Sequence, residues 1–258
     1  MRDVDAVIER YMAVWNGTDP SKRRGLIEAA WTPGGATIHR LLEARGYDAI
    51  VERVAGAADK WVRDGGMVFR PASVLAHNEV VRFAWEMADR TSGRVDSRAQ
   101  SYLVLDREDR IVCDYQFPMT APAQDGDHQA LAEAYVAFWN APDRAIRTQM
   151  ASELWAPCGG HADIHGSQRG LREIIEESDK VVAAFASRGR SFRLDGAVDG
   201  HHGAVRFDWL AQDGARSVAS GYCLLLLDGD GLIDRAYTFD DPQPRVAARV
   251  DGGLAVNA

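Results

Sequence analysis

The chain has only three cysteines, Cys113, Cys158 and Cys223, and no two of them stand at Cys-x-x-Cys spacing. An odd, scattered set excludes a disulfide framework and a thiolate zinc site, and casts the three as small buried hydrophobes. No apolar run is long enough for a signal-peptide core or a membrane span: Arg2, Asp3 and Asp5 lead straight into an amphipathic pattern. A cytoplasmic protein with no membrane partner is the expectation. Clusters of Lys and Arg interleaved with aromatics are missing too, and the formal net charge is −8, so nucleic acid is not an expected partner. There is no Gly-rich phosphate loop, and neither a nicotinamide nor a flavin is expected.

What is present is ordinary globular material, 46% hydrophobic and 26% charged, in 258 residues. That length suits one large domain or two of about 100 to 150 residues. An internal repeat decides for two. Tyr11, Trp15 and Asn16 recur as Tyr135, Trp139 and Asn140, at an offset of 124 residues. The same offset pairs Trp31 with Trp155, Pro33 with Pro157, Gly46 with Gly170, His77 with His201, and Phe83 and Trp85 with Phe207 and Trp209. Near the end of each unit the offset slips to 122, pairing Ile111 with Ile233, Tyr115 with Tyr237 and Phe117 with Phe239. A shortened hairpin loop accounts for such a slip, and so many aromatics in one order mark a duplication. The expected domains are 1–120 and 127–242, joined by a linker rich in Pro, Ala and Asp and followed by a flexible tail, 243–258.

Each unit reads helix, helix, short strand, helix, then strands. Val4, Val7, Ile8, Tyr11, Met12 and Trp15 fall on one helical face. Asp19-Pro20 opens a second helix carrying Leu26, Ile27 and Trp31. A third follows Gly46, with a cleaner counterpart in Leu171, Ile174, Ile175, Ser178, Val182 and Phe185. Alternating runs at Val80 to Met87 and Val205 to Leu210 predict strands, as do Tyr102 to Leu105 and Tyr222 to Leu227. Helices early and antiparallel strands late describe an α+β fold with a curved sheet packed on helices.

A first helix with Tyr-x-x-x-Trp-Asn, a second ending in Leu154-Trp155-Ala156-Pro157, and the strand His201-His202-Gly203-x-Val205-Arg206-Phe207-x-Trp209 resemble the SnoaL-like branch of the nuclear transport factor 2-like superfamily. The resemblance covers both units. It implies two tandem cone-shaped domains, each with a deep pocket between sheet and helices, and chemistry done by side chains without a cofactor. Relatives include polyketide cyclases, ketosteroid isomerase and epoxide hydrolases, alongside plain binding modules. The isomerase's pattern Arg-Tyr-x-Ala-x-x-Asn places its oxyanion-donating tyrosine at Tyr11, and by repeat at Tyr135. Its general-base aspartate falls at Asp163, if Ala36-Thr37-Ile38-His39 is set against Ala162-Asp163-Ile164-His165. On that alignment Thr37 replaces the carboxylate in the first unit and cannot accept a proton near neutral pH. The isomerase's second acid aligns near Ser101 and Cys223, neither of them a carboxylate. The epoxide hydrolases' paired acids suggest Asp114 on the last strand, with a counterpart near Asp234 or Arg235.

His161, Asp163 and His165 alternate on a predicted strand and so share one face, as metal ligands would. The first unit keeps only His39 there, and no metal is expected; His161 and His165 belong instead at a pocket rim, able to relay a proton. His77, His201 and His202 read as turn residues. Phe83, Trp85, Phe207 and Trp209, with Trp61 and Phe185, are assigned to the pockets, and the opposite row, Arg82 and Arg206 included, to a contact between units. The expected function is a cofactor-independent cyclase, isomerase or epoxide-opening enzyme acting on an apolar, oxygenated small molecule of polyketide-like secondary metabolism. Asp163, Tyr135 and His165 are its leading catalytic residues, with Tyr11, Asp114 and His39 in the first unit. The alternative is a non-catalytic small-molecule-binding or scaffolding protein of the same fold. Either would be a monomer acting as an internal pseudo-dimer.

Overall fold

The computed structural model describes residues 2–119, 126–186 and 188–242. The expected tail, 243–258, and most of the expected linker lie outside them. The first unit opens with α1 (Val4–Asn16), capped by the Asp3 carboxylate, and α2 (Pro20–Ala30), capped by Asp19 with proline in its first turn. Both caps satisfy amide protons that a helix start leaves without partners. The chain enters β1 (Trp31–His39) at once, so Trp31 begins a strand where the periodicity predicts a helix end. Its indole is fully buried, and burial in the sheet outweighs continuation of the helical pattern. A hairpin to β2 (Leu42–Arg45) leads to Gly46, whose φ of 78° only glycine adopts without strain, and then to α3 (Tyr47–Ala57), extended by a π-helical turn over Ala58–Arg63. Four strands follow: β3 (Met67–His77), β4 (Val80–Asp89), β5 (Val95–Leu105) and β6 (Ile111–Pro118). Their sheet runs β2-β1-β6-β5-β4-β3, antiparallel except where β1 lies parallel to β6.

The second unit repeats this plan. It comprises α4 (Gly126–Asn140), α5 (Arg144–Leu154), β7 (Trp155–Asp163), β8 (Gly166–Arg169), α6 (Gly170–Ala186), β9 (Arg190–Leu194), β10 (Asp199–His201), β11 (Ala204–Asp213), β12 (Arg216–Leu227) and β13 (Ile233–Asp240). The sheet order is β10-β11-β12-β13-β7-β8, with β9 also on β11. The slip in the repeat falls in one hairpin: Val81 faces Leu103 in the first unit and Val205 faces Leu225 in the second, so the β11–β12 turn is the shorter one. Each sheet curls around its helices to form a cone with its own apolar core.

A third core joins the two sheets. Val80, Tyr102 and Phe117 of one unit pack with Ala162, Ala204, Leu224, Tyr237 and Phe239 of the other. Arg82 is buried there, its guanidinium 3.5 Å from the centre of the Tyr222 ring, as the charged row of β4 led one to expect. Two sequence expectations change. His77 and His201 are interface residues, stacked on Phe239 at 4.4 Å and Phe117 at 4.5 Å in a pseudo-twofold arrangement, because aromatic surface on the partner sheet outcompetes solvent for the imidazoles. Of the cysteines only Cys223 is buried; Cys113 is half-buried and Cys158 exposed on β7.

Candidate functional site

In the first cone, β1 and β6 run parallel with Thr37 opposite Asp114, and Gln116 follows two residues on, on the same face. Tyr11 reaches the group from α1. Asp114 Oδ2 accepts hydrogen bonds from the Tyr11 hydroxyl at 2.9 Å, from Thr37 Oγ1 at 2.9 Å and from Gln116 Nε2 at 2.8 Å. Gln116 Nε2 also lies 3.0 Å from the Tyr11 oxygen, and Ser101 Oγ lies 3.4 Å from it. The carboxylate is fully buried, and its second oxygen, Oδ1, has no hydrogen-bond partner. Burial pushes the Asp114 pKa up to about 6, against the lowering effect of Gln116, Tyr11, Thr37 and Ser101. Burial and the neighbouring carboxylate hold the Tyr11 hydroxyl well above the ordinary phenol range.

Tyr11 and Gln116 line a cavity of about 220 Å³, walled by Trp15, Trp61, Phe69 and Trp85 and bordered by His39 and Arg53. Trp61, Trp85 and His39 therefore stand where the sequence reading puts them. Phe83 does not line the cavity: it is fully buried behind Tyr11, edge-on at 5.1 Å, and supports the tyrosine. Burial, then Arg53 and Arg40, lowers the His39 pKa, so its imidazole is neutral at pH 7. Thr37, Ser101, Gln116 and Arg53 were missed as site residues. Gln116 carried a signal in its two-residue spacing from Asp114; Arg53 carried none, being one charge among many on an amphipathic helix.

The second cone encloses about 460 Å³ and is lined by Tyr135, His161, Asp163, His165, Phe185, Phe207 and Trp209, among others. Its strand register corrects the alignment of the repeats. Ala36 faces Arg45 and Gly160 faces Arg169, so β1 and β7 correspond at the offset of 124; His39 is the counterpart of Asp163, and Thr37 that of His161. His161 faces Ala236 as Thr37 faces Asp114, so the counterpart of Asp114 is Ala236, not Asp234 or Arg235. The polar group of the first cone thus becomes Tyr135, His161, Cys223, Ala236 and Thr238, without an acid. The Tyr135 hydroxyl and His161 Nε2 lie 3.3 Å and 3.4 Å from Thr238 Oγ1, while His161 stacks on Trp139 at 4.8 Å. Burial lowers the His161 pKa.

Asp163 sits at the rim, on the last residue of β7, and its Oδ1 accepts the backbone amides of His165 at 2.7 Å and Gly166 at 2.9 Å. The carboxylate thus caps the turn into β8. His165 lies in that turn, so the expected alternation of His161, Asp163 and His165 along one strand ends at Asp163. Among the described residues no three His, Cys, Asp or Glu side chains are grouped so as to hold a metal ion.

No protein-family model and no curated protein matches the chain. Solved structures do. A SnoaL-like family protein from Agrobacterium tumefaciens, named as a candidate isomerase, is 28% identical; the match covers 45% of this chain and 99% of that one, with a TM-score of 0.43. A candidate polyketide cyclase from Sinorhizobium meliloti is 12% identical over 45% of this chain and 99% of its own, with a TM-score of 0.35. A SnoaL-like protein of unknown function from Burkholderia thailandensis is 12% identical over 46% and 99%, with a TM-score of 0.38. The chain is a tandem of two cone-shaped α+β units similar in fold to these SnoaL-like proteins.

Proposed function

We propose that the chain is a cofactor-independent enzyme whose first cone moves a proton on an apolar, oxygenated small molecule, in a reaction of the isomerase, cyclase or epoxide-opening class. One observation carries it: a fully buried carboxylate with a pKa near 6 is hydrogen-bonded to a tyrosine that lines an aromatic cavity. A structural carboxylate at such a position is ordinarily held ionised; this one is balanced near neutrality. Asp114 itself does not line the cavity, so it acts through Tyr11. As the substrate's proton passes to the Tyr11 oxygen, the Tyr11 proton passes to Asp114 Oδ2, so the carboxyl becomes neutral and the electron pair of the broken C–H bond stays on the substrate as an enolate. No free tyrosinate forms, which suits a phenol whose own pKa is raised. Arg53 and His39 border the same space and would face the enolate oxygen.

The test needs no knowledge of the final product. Deuterium exchange from D2O into enolisable cyclic ketones, followed by NMR, should be accelerated by the protein and should rise with pH through about 6, as Asp114 ionises. Asp114→Asn should slow exchange by about 10²-fold, and Tyr11→Phe comparably, with ligand affinity little changed. Exchange at the full rate in Asp114→Asn would end the assignment. If Asp163→Asn or Tyr135→Phe abolished it instead, the chemistry would belong to the second cone, with Asp163 as base and His165 as relay. A second reading, ligand binding without turnover, is favoured for that cone by Ala236 at the position of Asp114.

A further inference from the structure

Arg53 is a cation without a counter-ion. It projects from α3 into the first cone's cavity, with its guanidinium carbon 5.3 Å from the centre of the Trp15 ring. Its Nε is buried with no hydrogen-bond partner. Other arginines in comparable positions are anchored. Arg40 meets both carboxylate oxygens of buried Asp199 at 2.9 Å, and Arg147 is held by Ser178, Asp179 and two backbone carbonyls. Arg98, the other arginine on this cavity, is tied to Glu86 at 3.0 Å. No Asp or Glu is among the residues lining the cavity. Asp114 lies behind Tyr11, its Oδ2 already taken by three donors.

Leaving a guanidinium partly desolvated and unpaired is unfavourable unless something else supplies the charge. Stacking on Trp15 fixes its plane and leaves its donors free to grip an anion in bidentate fashion. The second cone has no equivalent, because Glu177 occupies the repeat position of Arg53 and pairs with Lys180 at 2.7 Å. A cation present in one copy of a duplicated unit and reversed in the other is a difference in ligand, since both copies build the same helix.

We propose that the first cone selects ligands bearing a carboxylate, anchored by Arg53, with the apolar body of the ligand against Trp15, Trp61, Phe69 and Trp85. This names the substrate class for the site proposed above and rests on that cone being the working one, but not on its chemistry. An apolar carboxylic acid with an enolisable carbonyl combines the two requirements.

Calorimetric titration of the full chain with 2-naphthoate and with its neutral isostere, 2-naphthamide, tests the anchor. The naphthoate should bind at least about tenfold more tightly. Arg53→Gln should remove that preference while leaving the affinity for the amide, which also reports that the variant is folded, and Arg53→Lys should restore part of it. Equal affinity of the two probes, a preference that survives Arg53→Gln, or failure of both to bind would overturn the proposal. Asp114→Asn separates anchor from chemistry. If the carboxylate preference follows Arg53 while proton exchange is indifferent to Asp114, the anchor stands and the proton relay falls.

Discussion

Asp114 is held at odds with the stability of its own fold. Its folded pKa of about 6 exceeds the ordinary value of 3.8, so the folded chain binds its proton more tightly than the unfolded chain does. Between those two values rising pH deprotonates the unfolded state first, and the contribution of this group to stability falls, by up to about 3 kcal/mol in all. Asp114→Asn removes that loss. Its melting temperature should match the wild type near pH 4 and exceed it increasingly as the pH rises through 6; a gap that does not change with pH would mean that the carboxyl is not destabilised by burial. The sequence supplied Asp114 and Tyr11 as candidates, through the helix face and the acid on the last strand. It could not supply which way Asp114 faces, because parity along a strand depends on where a two-residue gap falls. Nor could it supply the correspondence of Thr37 with His161: the similar strings Ala36-Thr37-Ile38-His39 and Ala162-Asp163-Ile164-His165 favour an alignment that cross-strand hydrogen bonding overrules.

The helices were legible because their apolar spacing is local, as were the hairpin strands that alternate. The parallel pairing of β1 with β6 was not, since it joins segments far apart in the chain and leaves no local pattern. Yet this pairing is what brings Thr37 and Asp114 together. One repeated device does connect motif to architecture. The asparagine of Tyr-x-x-x-Trp-Asn ends its helix and clamps a strand: Asn16 donates to the Phe69 carbonyl at 2.7 Å and accepts its amide at 2.8 Å, and Asn140 does the same for Phe192 at 2.7 Å in both directions. Phe69 and Phe192 are aromatic walls of the two cavities, so the clamp sets the width of each cone. Asn16→Ala leaves a part-buried amide and carbonyl without partners and should cost about 1–3 kcal/mol in chemical denaturation. It should also weaken ligand binding in the first cone alone, with Asn140→Ala acting only on the second. Loss of binding in both cones from either variant would show that the clamp acts on the whole fold.

The two cones share an interface that neither can cover alone. Tyr102, Phe117, Leu224, Tyr237 and Phe239 are almost wholly buried between the sheets, so separating the units would expose a large aromatic face to water. Polar contacts fix the register across it: Arg40 with Asp199, Tyr237 with Glu79 at 2.9 Å, and His201 Nε2 with the Gln116 carbonyl at 3.0 Å. That last bond ties the interface to the strand that carries the candidate site. The chain should therefore unfold in a single calorimetric transition, with van't Hoff and calorimetric enthalpies in agreement. Phe239→Ala, costing about 3–5 kcal/mol in a packed interior, should lower that transition or split it in two. Acid should act on the same surface. Burial depresses the His201 pKa to about 4, below its ordinary value of 6.5, so the unfolded chain gains the proton first as pH falls. The stability held by neutral His201 is complete above about pH 6.5 and is lost progressively down to about pH 4, by up to about 3 kcal/mol. Its sign is opposite to that of Asp114, and the two partly cancel in the wild type. His201→Gln keeps a donor for the Gln116 carbonyl but cannot be protonated, so its stability should fall less steeply between pH 6.5 and 4. In the Asp114→Asn background, where the opposing carboxyl is gone, the contribution of His201 should stand out most clearly. If His201→Gln retains the full acid slope in that background, proton uptake lies elsewhere, with His77 on the pseudo-symmetric contact the next residue to replace.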